Sequence, residues 1–115
     1  MRNTPGYDSD LLRGNTEALL LFLIDQHGQT YGYQLIKEIE RRSGGYFKFK
    51  EGTVYPALRK LENEGQVRGD WQALSNGQQR RYYAITPKGK QALKDKIAMW
   101  QRFTQAVALI LDPAR

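Results

Sequence analysis

Apolar residues from Ala18 to Ile24 run without a polar interruption, a pattern that predicts a helix buried on every side. Asn15 or Thr16 can cap its start, the helix runs to about Gln26, and Gly28 stops it. Leu35, Ile36 and Ile39 recur at helical spacing over Tyr31 to Arg42, so a second amphipathic helix is expected there, with Thr30 as its cap. Glu38 and Arg42 form a favourable i,i+4 pair on its polar side. Val54, Leu58 and Leu61 mark the inner face of a third helix, which begins near Glu51 to Thr53 and runs to Glu64. Gly65 supplies its left-handed stop, and Pro56 is expected in the first turn, where a missing donor costs nothing.

After Gly65 the period changes from helical to alternating. Val67, Gly69, Trp71 and Ala73 alternate with polar residues, and Arg81 to Ile85 carries Tyr82, Tyr83 and Ile85. Two short strands therefore flank the turn Ser75-Asn76-Gly77 in a hairpin. Thr86-Pro87 reads as a cap with proline at the first helical position, opening a fourth helix to about Leu111. The order helix, helix, helix, hairpin, long helix describes a mainly α fold, a winged helix-turn-helix followed by a long C-terminal helix. It divides the chain into a flexible arm over 1–10, a DNA-binding domain over 11–86 and a dimerisation helix over 87–111.

The chain has 115 residues, 40% hydrophobic and 26% charged, which suits one folded domain. With no cysteine, disulfides and thiolate metal sites are excluded. The longest apolar run is far shorter than the roughly 20 residues of a membrane span, so a cytoplasmic protein without membrane contact is expected. The net charge is +6, and it is concentrated. Between Tyr46 and Lys90 nine basic residues, among them Lys48 and Lys50, stand against four acidic ones. Such a segment is either a solvated face or a polyanion-binding surface.

The third helix presents Thr53, Tyr55, Pro56, Arg59, Lys60 and Asn63 away from its apolar face, a basic, hydrogen-bonding set suited to a major groove. Alone it would read rather as an ordinary solvated amphipathic helix. The hairpin changes the balance, because Gln78, Gln79, Arg80 and Arg81 beside Asn76-Gly77 can reach phosphates or a minor groove. Alternation sends one of Tyr82 and Tyr83 inward and the other outward, and Tyr83 is placed in the DNA-facing set.

The fourth helix carries Leu93, Ile97, Trp100, Val107 and Leu111 on a repeat broadened by Met99, Phe103 and Ile110. One short domain cannot cover so long a stripe, so it is expected to pack against its twin, together with Phe22, in a two-fold homodimer. Catalysis finds no support: His27 is the only histidine, Glu62 and Glu64 lie on different helix faces, and no phosphate-cradling glycine loop is present. No cofactor and no metal site is expected.

From Leu11 to about Val107 the chain resembles the PadR family of bacterial transcriptional regulators. The resemblance is carried by Tyr31-Gly32-Tyr33, by Glu51-Gly52-Thr53-Val54-Tyr55-Pro56-Ala57-Leu58 and by Leu61-Glu62-Asn63-Glu64-Gly65. Arg81-Tyr82-Tyr83 and Thr86-Pro87-Lys88-Gly89 complete it. It implies a dimer built by the C-terminal helix, repression through a double-stranded DNA operator, and DNA contacts from Tyr33, Lys50, Thr53, Tyr55 and Arg59. At the wing tip, where many relatives carry an arginine and a proline, this chain has Gln78 and Gln79. The short branch of the family includes regulators that hold planar drugs between tryptophans at the dimer centre, a position that Trp100 matches, so an aromatic effector is an alternative. The branch also includes a cyanobacterial repressor of a clock gene.

Overall fold

Leu20, Leu21, Leu23 and Ile24 place four buried side chains in little more than one helical turn, and the rest of the fold is assembled around them. In a computed structural model of the chain, which describes residues 15–112, they belong to helix α1, Thr16–His27. The arm read over residues 1–10 lies outside the described residues. Phe22 corrects the expectation of a helix buried all round: it is 45% exposed, on a face of α1 that the buried core does not include.

Strand β1, Thr30–Tyr31, precedes helix α2, Gly32–Arg42. Thr30 is therefore not the helix cap. It is fully buried, opposite Tyr83 in an antiparallel pair, and its hydroxyl donates to Gln34 Oε1. The Tyr31 main chain takes the capping position in extended conformation. On α2, Leu35, Ile36 and Ile39 face the core as expected, and Glu38 accepts from Arg42 at 2.8 Å and from Arg41 at 2.9 Å.

Helix α3, Glu51–Asn63, buries Val54, Leu58 and Leu61 completely, each contributing about 1.5–3 kcal/mol of hydrophobic stabilisation. Pro56 is the sixth residue of this helix and not in its first turn. The Gly52 carbonyl consequently lacks its main-chain i+4 donor, a loss softened because Gly52 is exposed to water. Gly65, at φ 76°, ends the helical segment in the left-handed region, and Gln66 N–H returns to the Leu61 carbonyl at 2.9 Å.

Strands β2, Val67–Ala73, and β3, Gln79–Ile85, form the hairpin, with Val67 opposite Ile85 and Trp71 opposite Arg81. Its tip is closed by Gly77 N–H donating to the Leu74 carbonyl at 3.0 Å. The sheet has three strands in the order β1-β3-β2, one more than the alternation of the sequence predicts. Helix α4, Pro87–Leu111, is capped by the Thr86 hydroxyl, which accepts from Gly89 N–H at 3.1 Å. Its first half packs against α1 and β3.

Candidate nucleic-acid interface

With Val54, Leu58 and Leu61 inward, the period of α3 leaves Thr53, Tyr55 and Arg59 exposed on its other side. The approach to the helix extends this face, since Phe49 is buried while Lys48 and Lys50 are exposed on either side of it. Tyr33 on α2 is 53% exposed, and the Lys37 ammonium lies 5.4 Å above its ring. Tyr55 is held more firmly. A Cβ on Gly32 would stand 2.5 Å from the Tyr55 ring, so the aromatic side chain rests directly on the first turn of α2. Burial, with Glu51 adding to it against the opposing field of Arg80, pushes the Tyr55 hydroxyl above its ordinary range. It remains a protonated donor.

The two adjacent wing arginines have different surroundings. Arg80 lies 4.0 Å above the Tyr31 ring and donates to the Tyr82 hydroxyl at 3.4 Å, while Tyr31 and Tyr82 meet edge to face at 5.3 Å. This stack holds a cation at the surface without neutralising it. Arg81 instead donates to the Glu62 carboxylate of α3 and lies 5.4 Å from the centre of the Trp71 ring. Its charge is already matched by that carboxylate.

Lys60 donates to Glu17 of α1 at 2.6 Å and stands 3.7 Å from Glu64, so it is a tie between helices. Lys96 of α4 approaches the same Glu17 at 3.5 Å. Tyr83 is 6% exposed and belongs to the core; Tyr82 is the partner on the outer face of the sheet. Gln78 and Gln79 are exposed at the wing tip, where Gln78 N–H donates to Asn76 Oδ1 at 3.0 Å. The Tyr31–Tyr82 seat of Arg80 and the Glu17 bridge are not visible in the sequence. Their partners are distant along the chain, and no local spacing announces them.

On α4, Leu93 is 6% exposed and completes the core of its own domain. The stripe beyond it is open: Trp100 is 52% and Phe103 66% exposed, Ile97 and Leu111 are exposed too, and Val107 is half-buried. Ile97, Trp100 and Phe103 join Phe22, Tyr46 and Phe47 around an apolar groove of about 590 Å³, with Lys96 at its margin. Among the described residues no cluster of metal-ligating side chains occurs, and no helix is long and apolar enough to cross a membrane.

Three helices, a two-stranded wing joined by a short third strand, and a long C-terminal helix define a winged-helix protein. Residues 20–95 match the model of the PadR-like transcriptional regulator family, and the chain belongs to that family. It is thus placed among transcriptional regulators and not among enzymes. A transcriptional regulator from Clostridium thermocellum superposes with a TM-score of 0.81 at 28% identity, over 89% of this chain and 98% of that one. A PadR-like transcriptional regulator from Bacillus cereus gives 0.75 at 31% identity, over 89% and 96%. The chain is also 26% identical to the negative transcriptional regulator PadR of Bacillus subtilis over 80 residues, 70% of this chain and 44% of that protein.

Proposed function

We propose that the chain is a homodimeric repressor that binds a pseudo-palindromic DNA operator, with α3 in the major groove and the wing on the adjacent backbone. The observation that supports this reading is the exposure of Lys50, Thr53, Tyr55 and Arg59 at the start and along the solvent side of α3, and of Tyr33 on α2. Hydroxyls and an arginine supply donors and acceptors for base edges. Lys48, Arg80, Gln78 and Gln79 are suited to phosphate and sugar contacts at the margins. The open apolar stripe of α4, with Phe22 of α1, is the surface by which two copies associate, and a two-fold axis there presents two α3 helices to one duplex.

Footprinting on the DNA upstream of the chain's own gene tests the reading. Two protected half-sites about one or two helical turns apart are expected. A single asymmetric site occupied by one chain contradicts it.

A second reading is favoured by the groove itself. Its aromatic lining and the half-exposed Trp100 suit a planar aromatic effector held at the dimer centre. Quenching of tryptophan fluorescence by such a compound, with release of operator DNA, would establish it; Trp100→Phe should remove most of the signal while leaving Trp71.

A further inference from the structure

The chain enters α4 beside the point where it leaves α3, and the segment at Thr86 is hydrogen-bonded to the residues that follow α3. The Thr86 hydroxyl donates to the Gly65 carbonyl at 2.6 Å, and Thr86 N–H donates to the Gln66 carbonyl at 3.1 Å. Gly89 N–H in turn donates to the Thr86 hydroxyl. A Cβ on Gly89 would overlap the Gln66 carbonyl oxygen and stand 2.8 Å from Ile85 Cγ1. The first turn of α4 therefore lies against the backbone that follows α3, at a distance only glycine permits. Neither obstructing group is the far end of a flexible side chain, so an added methyl must move the helix.

The Glu17 bridge supplies a second tie. This carboxylate holds Lys60, on the last turns of α3, and approaches Lys96, two turns beyond Gly89 on α4. Leu93 is buried between the two ties. The angle between α3 and α4 is thus fixed by close packing and hydrogen bonding at one end and by ion pairing further along. Helix α4 has 25 residues and is about 37 Å long, so a tilt of about 10° at its first turn displaces its far end by about 6 Å.

We propose that Thr86 and Gly89 are positioning residues that set the separation of operator half-sites. The inference rests on the dimeric reading above. If two copies meet through α4, the distance between their α3 helices follows from the α3–α4 angle, although neither Thr86 nor Gly89 lies on α3. The property they control is spacing, as distinct from the bases read within each half-site.

The experiment measures fluorescence anisotropy of the full chain on duplexes carrying two copies of the footprinted half-site at stepped separations, and on a duplex with one copy. The wild type shows one optimum. Gly89→Ala remains dimeric by sedimentation and binds the single half-site as the wild type does. At the wild-type separation it loses on the order of 10²-fold in affinity, because the second half-site no longer engages intramolecularly. Its optimum shifts or flattens. Thr86→Val, which removes the hydroxyl while keeping the shape, changes the profile in the same sense and decides the matter if Gly89→Ala does not fold. Thr86→Ser restores the wild-type profile. Variants with an unchanged optimum, or with equal losses on one and two half-sites, overturn the proposal while leaving the dimeric reading intact. A wild type with no spacing optimum removes both.

Discussion

The guanidinium of Arg81 on the wing donates to the carboxylate of Glu62 on α3, with Trp71 beside it and both side chains partly shielded from water. This contact fastens the wing to the reading helix. A Cβ on Gly69 would stand 2.8 Å from the same guanidinium, so the opposite strand also leaves room for it. Arg81→Ala is expected to lower stability by about 1–2 kcal/mol, between a surface ion pair and a charged hydrogen bond. Urea denaturation of Arg81→Ala, Glu62→Gln and the double variant measures this. The two losses should be strongly non-additive, and simple additivity would show that the pair does not act as a unit.

Arg80 is partly buried against Tyr31 and Tyr82, and among the described residues no carboxylate pairs with it. Arg80→Ala should weaken binding to specific and random DNA alike and reduce the slope of log affinity against log salt by about 1. Titrations at several salt concentrations provide the test. An unchanged slope with altered sequence preference would make Arg80 a reader of bases.

Glu17 links pH to the packing of three helices. Burial pushes its carboxyl up, but hydrogen bonding and attraction from Lys60, with Lys96 added, bring it below the ordinary 4.5. A carboxyl whose folded value is depressed contributes stability above its unfolded value and loses it as pH falls through the folded one. The stability difference between wild type and Glu17→Gln should therefore be constant above about pH 5 and shrink below 4.5. Thermal or urea unfolding from pH 7 to pH 3 checks this. A difference that is flat through that range would show that the bridge contributes nothing.

The helices and the hairpin were legible because their signals are local: apolar spacing for Val54, Leu58 and Leu61, Asn76-Gly77 for the turn, and Thr86-Pro87 for the cap. Strand β1 was not, since two residues carry no period and Thr30 and Tyr31 become a strand only by pairing with Tyr83 and Tyr82 far along the chain. The same physical reason explains Lys60 and Arg81. Residue type assigned both to the outer basic face, whereas their carboxylate partners lie 43 and 19 residues away. Periodicity gave the apolar stripe of α4 but not its division into Leu93, covered by its own domain, and Trp100 or Phe103, left open. The outward set Thr53, Tyr55 and Arg59 was readable because burial of the opposite face determines it, while the seating of Tyr55 on Gly32 required the fold.

If the open stripe of α4 joins two copies, it delivers two α3 helices to one operator. Changing Trp100→Glu and Val107→Glu together places uncompensated charge on that surface, at a cost on the order of several kcal/mol if it is buried between copies. Sedimentation velocity at micromolar protein, with and without operator duplex, is the direct measurement. A dimeric wild type that binds the duplex as two chains is expected, with a folded, monomeric double variant whose operator affinity falls by on the order of 10²-fold. A strictly monomeric wild type, or a double variant that stays dimeric and binds the operator normally, would contradict it.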